Sequence, residues 1–225
     1  MHMHEFQAKE LLSSHEIAIP RGRVVDNAID AERIARRLGA DRFVVKAQVL
    51  SGDRQGSGGV QFSATPEGVR QVAESLLGRH LVTPHTGPKG ERVRWVYVEE
   101  ALEPMRQLYA AVNLDRSSGK LMLLASGAGG SDLELRSKHD ANLVKRIPLR
   151  IEGDKAIGEF AALAERIGLN GALADTAVEL FAKLARLAVR LDATLVEINP
   201  LAVTDDGALV ALDAKATIDD NALQR

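Results

Sequence analysis

Phe43-Val44-Val45-Lys46-Ala47-Gln48-Val49, then Ser51-Gly52-Asp53-Arg54-Gln55-Gly56-Ser57-Gly58-Gly59, then Val60-Gln61-Phe62 is the stretch on which the fold turns. Its outer parts are rich in β-branched and aromatic residues and its middle is glycine among polar residues, so the spacing predicts a hairpin with a long glycine-rich tip. Lys46 is the unusual member. An amine in a strand of small and β-branched residues is costly to bury without an anion. The tip beside it offers flexible backbone N–H groups and Arg54, a combination suited to covering phosphates. A solvated lysine next to a glycine-rich hairpin is the alternative reading of the same letters.

On the N-terminal side, Phe6, Leu11 and Leu12 have the spacing of a short amphipathic helix that ends before Pro20. A strand over 21–25 and a helix over 28–38 follow, with Gly39 where a helix end favours positive φ. On the C-terminal side come a helix over 66–77, a polar loop over 84–90 and the alternation Val93, Trp95, Tyr97 into Val98-Glu99-Glu100. A lobe boundary is expected near 99–104. The second half predicts strands over 107–115 and 120–126 around the turn Arg116-Ser117-Ser118-Gly119, and helices over 157–167 and 171–191. Strands over 195–203 and 209–213 close the pattern around Thr204-Asp205-Asp206-Gly207. The expectation is a two-lobed α+β protein with mainly antiparallel sheets, a small lobe over 21–103 inserted in a larger one formed by 1–20 and 104–225.

Glu197 and Asn199 lie two apart on a strand and so share a face, while Asp213 closes the partner strand. If those strands pair, Asn199 and Asp213 converge as a neutral and an anionic oxygen ligand, a set that suits magnesium retaining waters beside nucleotide phosphates. Solvated acidic ends of a surface hairpin are the alternative for any one carboxylate. The combination of Lys46, the glycine tip and this hairpin favours ATP and magnesium. None of the six histidines has the spacing of a helical zinc site, and His4, His80 and His139 read as surface or capping residues. No GxSxG elbow, Walker A sequence or GxGxxG fingerprint occurs.

Composition agrees with a globular chain: 225 residues, 45% apolar, 27% charged. A net charge of -2 with both signs interspersed supplies no basic surface for nucleic acid or an anionic membrane. The absence of cysteine excludes disulfides, thiolate metal sites and a cysteine nucleophile. With no apolar run near the length of a membrane span and no secretory leader, the expected location is the cytoplasm.

The motifs resemble a known family. His4-Glu5-Phe6-Gln7-Ala8-Lys9-Glu10-Leu11-Leu12, Val45-Lys46-Ala47-Gln48-Val49, Leu114-Asp115-Arg116, Glu197-Ile198-Asn199-Pro200-Leu201, Leu212-Asp213-Ala214-Lys215 and Asp220-Asn221-Ala222 are similar to the β subunits of ADP-forming succinyl-CoA and malyl-CoA ligases. The resemblance covers essentially the whole chain. It implies an ATP-grasp fold holding ATP between two lobes, with Mg2+ on the phosphates. By carry-over, Lys46 would contact phosphate; Asp53, Arg54 and Gln55 would lie in the covering loop; Glu99, Leu102 and Gln107 would line the nucleotide site. Asn199 and Asp213 would hold the magnesium, and Glu197 would stand near the transfer centre and orient a histidine. That histidine is expected on a separate CoA-binding α subunit, which takes the phosphoryl group from ATP and passes it to a dicarboxylate before CoA forms the thioester.

Three departures stand out. The family's covering loop reads Gly-Gly-Arg-Gly-Lys-Ala-Gly-Gly, against Gly52-Asp53-Arg54-Gln55-Gly56-Ser57-Gly58-Gly59 here, so the tip loses a positive charge and gains a negative one. Gln107 stands where the family carries glutamate. The family's β subunit also continues into a second, flavodoxin-like domain that this sequence does not include. A nucleotide-sensing or assembly module that has lost catalysis therefore remains open, as does an ATP-grasp ligase joining a carboxylate to an amine.

Overall fold

The computed structural model describes residues 1–152 and 155–222. They form two compact units, Pro20–Glu103 and Met1–Ile19 with Pro104–Arg225. Helix α1, Glu5–Ser14, opens the chain and turns Ala8 and Leu12 into the core of the second of these units. His4 is its N-cap residue, its backbone N–H donating to the Gln7 side chain at 3.0 Å.

The unit Pro20–Glu103 is built from β1 (Gly22–Val25), α2 (Ala28–Leu38), β2 (Phe43–Ala47), β3 (Val60–Ser63), α3 (Pro66–Leu76), the short pair β4 (His80–Leu81) and β5 (Glu91–Arg92), and β6 (Val96–Glu100). Local chemistry sets its helix ends. The Asn27 side chain accepts from Asp30 N–H at 2.9 Å, Thr65 accepts from Gly68 N–H at 3.1 Å just ahead of Pro66, and Gly39 ends α2 at φ 60°. The sheet runs β1-β6-β2-β3, all antiparallel. Phe43, Val45, Ala47, Val96 and Val98 pack under Ala31, Ala35, Val69 and Ala73 of the two helices. Alternation leaves Val44, Lys46, Tyr97 and Glu99 on the other face.

The other unit continues with β7 (Arg106–Asp115), β8 (Lys120–Ser126), α4 (Leu133–His139), β9 (Lys145–Pro148), β10 (Arg150–Glu152), β11 (Lys155–Ile157), α5 (Phe160–Arg166), α6 (Ala172–Arg190), β12 (Ala193–Val203), β13 (Leu209–Ala211) and β14 (Ala214–Ile218). The main sheet runs β13-β12-β7-β8-β9, with β14 also on β12. Leu108, Ala110, Val112, Val196 and Ile198 face the helices, where Phe181, Leu184 and Leu187 of α6 and Leu163 of α5 complete the core.

Two expectations change. The helix expected from 157 starts at Phe160, because Lys155–Ile157 pairs with Arg150–Glu152 as a hairpin. The strand expected over 209–213 stops at Ala211, where β13 pairs with 201–203, and a further strand, β14, follows it and pairs with 193–198. The break sits at Asn199-Pro200, where β12 places two residues against one of β7, between Ile198↔Ala110 and Leu201↔Leu108. Pro200 has no N–H to give the ladder, so a bulge is where a strand tolerates it. The Asn199–Pro200 peptide is cis.

Candidate functional site

In the unit Pro20–Glu103 the site residues gather on the helix-free face of the sheet. Lys46 lies opposite Tyr97, and Glu99 is one pleat further along β6. The Lys46 Nζ stands 2.5 Å from Glu99 Oε1, both side chains buried. The anion that Lys46 demanded is therefore supplied by the chain itself. Gly22 of β1, opposite Glu99, makes this possible: a Cβ there would stand 2.5 Å from the Glu99 Cβ.

The glycine-rich tip is folded back on the end of β2. Ala47 N–H donates to Gly59 O at 2.7 Å, Gly59 N–H to Arg54 O at 2.7 Å, and Arg54 Nη1 to Ala47 O at 3.2 Å. Arg54 is thus buried while Asp53 and Gln55 are exposed. Asp53 takes φ 57°, and a Cβ on Gly56 would meet its carboxylate at 2.8 Å, so the new aspartate packs over a glycine that leaves it room. Leu102, part-buried, lies just past the end of β6.

In the other unit, Glu197 and Asn199 do share the face of β12 turned away from the helices. Glu197 pairs in register with Ala111 on one side and Lys215 on the other. Its Oε2 accepts from the Tyr109 hydroxyl at 3.2 Å. Burial pushes the Glu197 carboxyl above its ordinary range; Lys215 and the Tyr109 bond pull the other way, and Glu134 and Asp213 add to the rise. The Tyr109 phenol is raised as well, by burial first and then by the Glu197 charge.

Asn199 is clasped to the glycine-rich segment after β8. Its Oδ1 accepts from Gly130 N–H at 2.7 Å and its Nδ2 donates to Gly130 O at 3.2 Å. Gly130 takes φ 107°, and Gln107 Oε1 would stand 3.1 Å from a Cβ added there. The Asn199 N–H donates to Asp213 O at 3.2 Å, so the bulge brings Asn199 and Asp213 together through the backbone. Asp213 Oδ1 accepts from Ala214 N–H at 2.8 Å.

This donor set fits magnesium: one amide oxygen held in a fixed orientation, with a second lone pair beyond the one Gly130 uses, and one carboxylate, both hard oxygen ligands that leave waters on the ion. Among the described residues no three His, Cys, Asp or Glu side chains form a metal cage. Tyr109, Gly130, Lys215 and Glu134 belong to this neighbourhood and were not singled out by sequence reasoning. Alternation gives one usable signal, since Tyr109 shares a pleat face with Ala111, the register partner of Glu197.

The ATP-grasp domain family matches residues 2–203. The chain belongs to that family. It is 42% identical over 208 residues to the succinate–CoA ligase [ADP-forming] subunit beta of Geobacter sulfurreducens, covering 89% of this chain and 52% of the relative. The chain thus spans about half the length of the curated relatives it matches. In fold it is similar to a protein of Pyrococcus horikoshii Ot3, with TM-score 0.74 at 20% identity over 97% of this chain and 92% of that one. It is also similar to a dinucleotide-forming acetyl-coenzyme A synthetase of Ca. Korarchaeum cryptofilum, solved with coenzyme A and Ca-AMPCP, with TM-score 0.70 at 17% identity over 97% and 93% of the two chains. Among the described residues no helix is long and apolar enough to cross a membrane.

Proposed function

We propose that this chain is the ATP- and Mg2+-binding, phosphoryl-transferring part of an ADP-forming acyl-CoA synthetase of the succinate- or malate-CoA ligase type. The observation that carries the reading is the face of β12, where a part-buried carboxylate and a metal-type amide oxygen stand two residues apart and Asp213 is tied to Asn199 across the bulge. The similarity to ligase β subunits supports the same assignment.

Each unit contributes its own part. Lys46, held by Glu99 in a fixed place, is a point charge for polyphosphate. The Gly52–Gly59 tip covers the phosphates with backbone N–H groups, Asp53 and Gln55 at its exposed surface. Glu99, Leu102 and Gln107 line the nucleotide. Asn199 and Asp213 hold the magnesium, which when bound neutralises phosphate charge. Glu197 accepts a hydrogen bond from one nitrogen of an imidazole on a partner α subunit, which fixes the tautomer and leaves the other nitrogen unprotonated and aimed at the γ-phosphorus. The P–N bond forms, the bond to the bridging oxygen breaks, and ADP leaves with that electron pair. The protein's contribution is positioning and charge, not a covalent partner of its own.

Calorimetric titration of ATP and ADP, with and without Mg2+, into the chain and its Lys46→Ala and Asp213→Ala variants tests this. Micromolar, Mg2+-dependent binding that both variants lose supports it. An absence of binding at millimolar nucleotide overturns it in favour of a non-catalytic module, the reading to which Asp53, Gln55 and Gln107 point.

A further inference from the structure

We propose that Tyr109 is a positioning residue that fixes the Glu197 carboxylate for the imidazole, an inference that rests on the function proposed above. The two residues are 88 apart in sequence and meet across adjacent antiparallel strands. Tyr109 stands two residues along β7 from Ala111, the register partner of Glu197, which makes it the diagonal neighbour of the carboxylate. Asn199 and Pro200 together stand opposite Tyr109 on β12, and the phenol reaches along the sheet to Glu197.

One carboxylate oxygen is used and one is left. Oε2 accepts the Tyr109 hydroxyl at 3.2 Å, while Oε1 takes no hydrogen bond from the described residues. Ala111, in register with Glu197 on the β7 side, adds only a methyl group to that face, so the carboxylate is not hemmed in by bulk there. A carboxylate with one oxygen pinned presents the other in a fixed plane, the arrangement that orients an imidazole N–H. The carboxylate takes no proton in this role: the N–H stays on the imidazole while the opposite nitrogen makes the new bond.

Tyr109→Phe removes the hydroxyl and keeps the ring. With the full chain and a histidine-bearing CoA-binding α subunit, rapid-quench measurement of acid-labile phosphohistidine should show kcat falling about tenfold or more, the scale on which misplaced groups act. The KM for ATP and the calorimetric affinity for ADP should stay at wild-type values, since the hydroxyl touches neither. Adding Tyr109→Phe to Glu197→Gln should cost nothing beyond Glu197→Gln alone, because two residues acting as one unit are not additive. A Tyr109→Phe protein with wild-type kcat, a loss confined to KM, or a full second loss in the Glu197→Gln background each overturns the positioning role while leaving the proposed function standing. A wild-type chain that binds ATP yet never yields phosphohistidine overturns both.

Discussion

The two units hold a carboxylate in opposite ways, Glu99 fully buried and Glu197 part-buried. In Pro20–Glu103, Glu99 meets the ammonium of Lys46, so the negative charge is answered inside the unit by a positive one. In the other unit, Glu197 has a neutral phenol as its hydrogen-bond partner and no ion pair among the described residues, with Lys215 acting on its charge from the register position opposite it on β14. An ion pair fixes both side chains and offsets part of their charge. A neutral hydrogen bond fixes a carboxylate but leaves its charge for something that arrives later. The first suits a scaffold for phosphate, the second a receptor for an imidazole.

The largest effect should come from cutting the charged pair. Lys46→Met leaves Glu99 buried without its cation, and removing one member of a buried pair costs about 3–5 kcal/mol. Urea unfolding should show that loss, and Lys46→Met combined with Glu99→Leu should recover most of it. Glu197→Gln, by contrast, keeps an acceptor for Tyr109 and should change stability by less than about 1.5 kcal/mol. Equal losses in Lys46→Met and Glu197→Gln would erase the distinction between the two units.

Each unit also relies on a glycine pressed against its site. A Cβ on Gly22 would stand 2.5 Å from the Glu99 Cβ, and one on Gly129 would stand 2.2 Å from Leu108 O. Forced overpacking of this kind costs about 1–3 kcal/mol, read as a lowered unfolding midpoint. If Lys46 serves phosphate as proposed, Gly22→Ala should also weaken nucleotide binding by displacing Glu99 from Lys46, whereas Gly129→Ala should leave the Lys46–Glu99 pair in place. Asn199→Ala comes next: it loses two neutral hydrogen bonds to Gly130, each worth about 0.5–1.5 kcal/mol.

Much of this was legible in the letters because short-range rules decided it. Thr65-Pro66 starts α3 and Gly39 ends α2 by cap chemistry alone, and the alternation through Glu197 and Asn199 correctly placed both on one face. What escaped notice depends on partners far along the chain. Tyr109 matters through Glu197, and Asn199 through Gly130, 69 residues away. The additional strand β14 was hidden for a related reason: Pro200 signals a fault in the ladder, but only the register of β12 with β13 and β14 shows that a further strand resumes past Asp213. The bond from the Arg54 guanidinium to Ala47 O likewise joins residues seven apart across the tip, a contact that charge and composition do not indicate.

The smallest effect concerns the opposition between burial, which raises the Glu197 carboxyl, and hydroxyl hydrogen bonds, which lower it. Asp115, at the far end of β7, is also held by hydroxyls, Ser118 Oγ at 2.6 Å and Ser117 Oγ at 2.8 Å, together with Ser117 N–H at 3.1 Å. There the bonds win over burial and bring the carboxyl down to about 2 from 3.8, the Ser118 hydroxyl contributing most. For an acid depressed on folding, the unfolded chain binds the extra proton between those values. The stabilisation is therefore complete above 3.8 and is lost as pH falls through about 2. Asp115→Asn should flatten the acid limb of stability in that window and lower stability at neutral pH, where the wild-type contribution is complete, while Ser117→Ala with Ser118→Ala should return the Asp115 titration, followed by carboxyl NMR, toward 3.8. If wild-type Asp115 already titrates there, hydroxyl donors do not hold an ionised carboxylate in this sheet. The neutral Tyr109 bond would then be too weak to fix Glu197, and the contrast between the two units would reduce to the single ion pair.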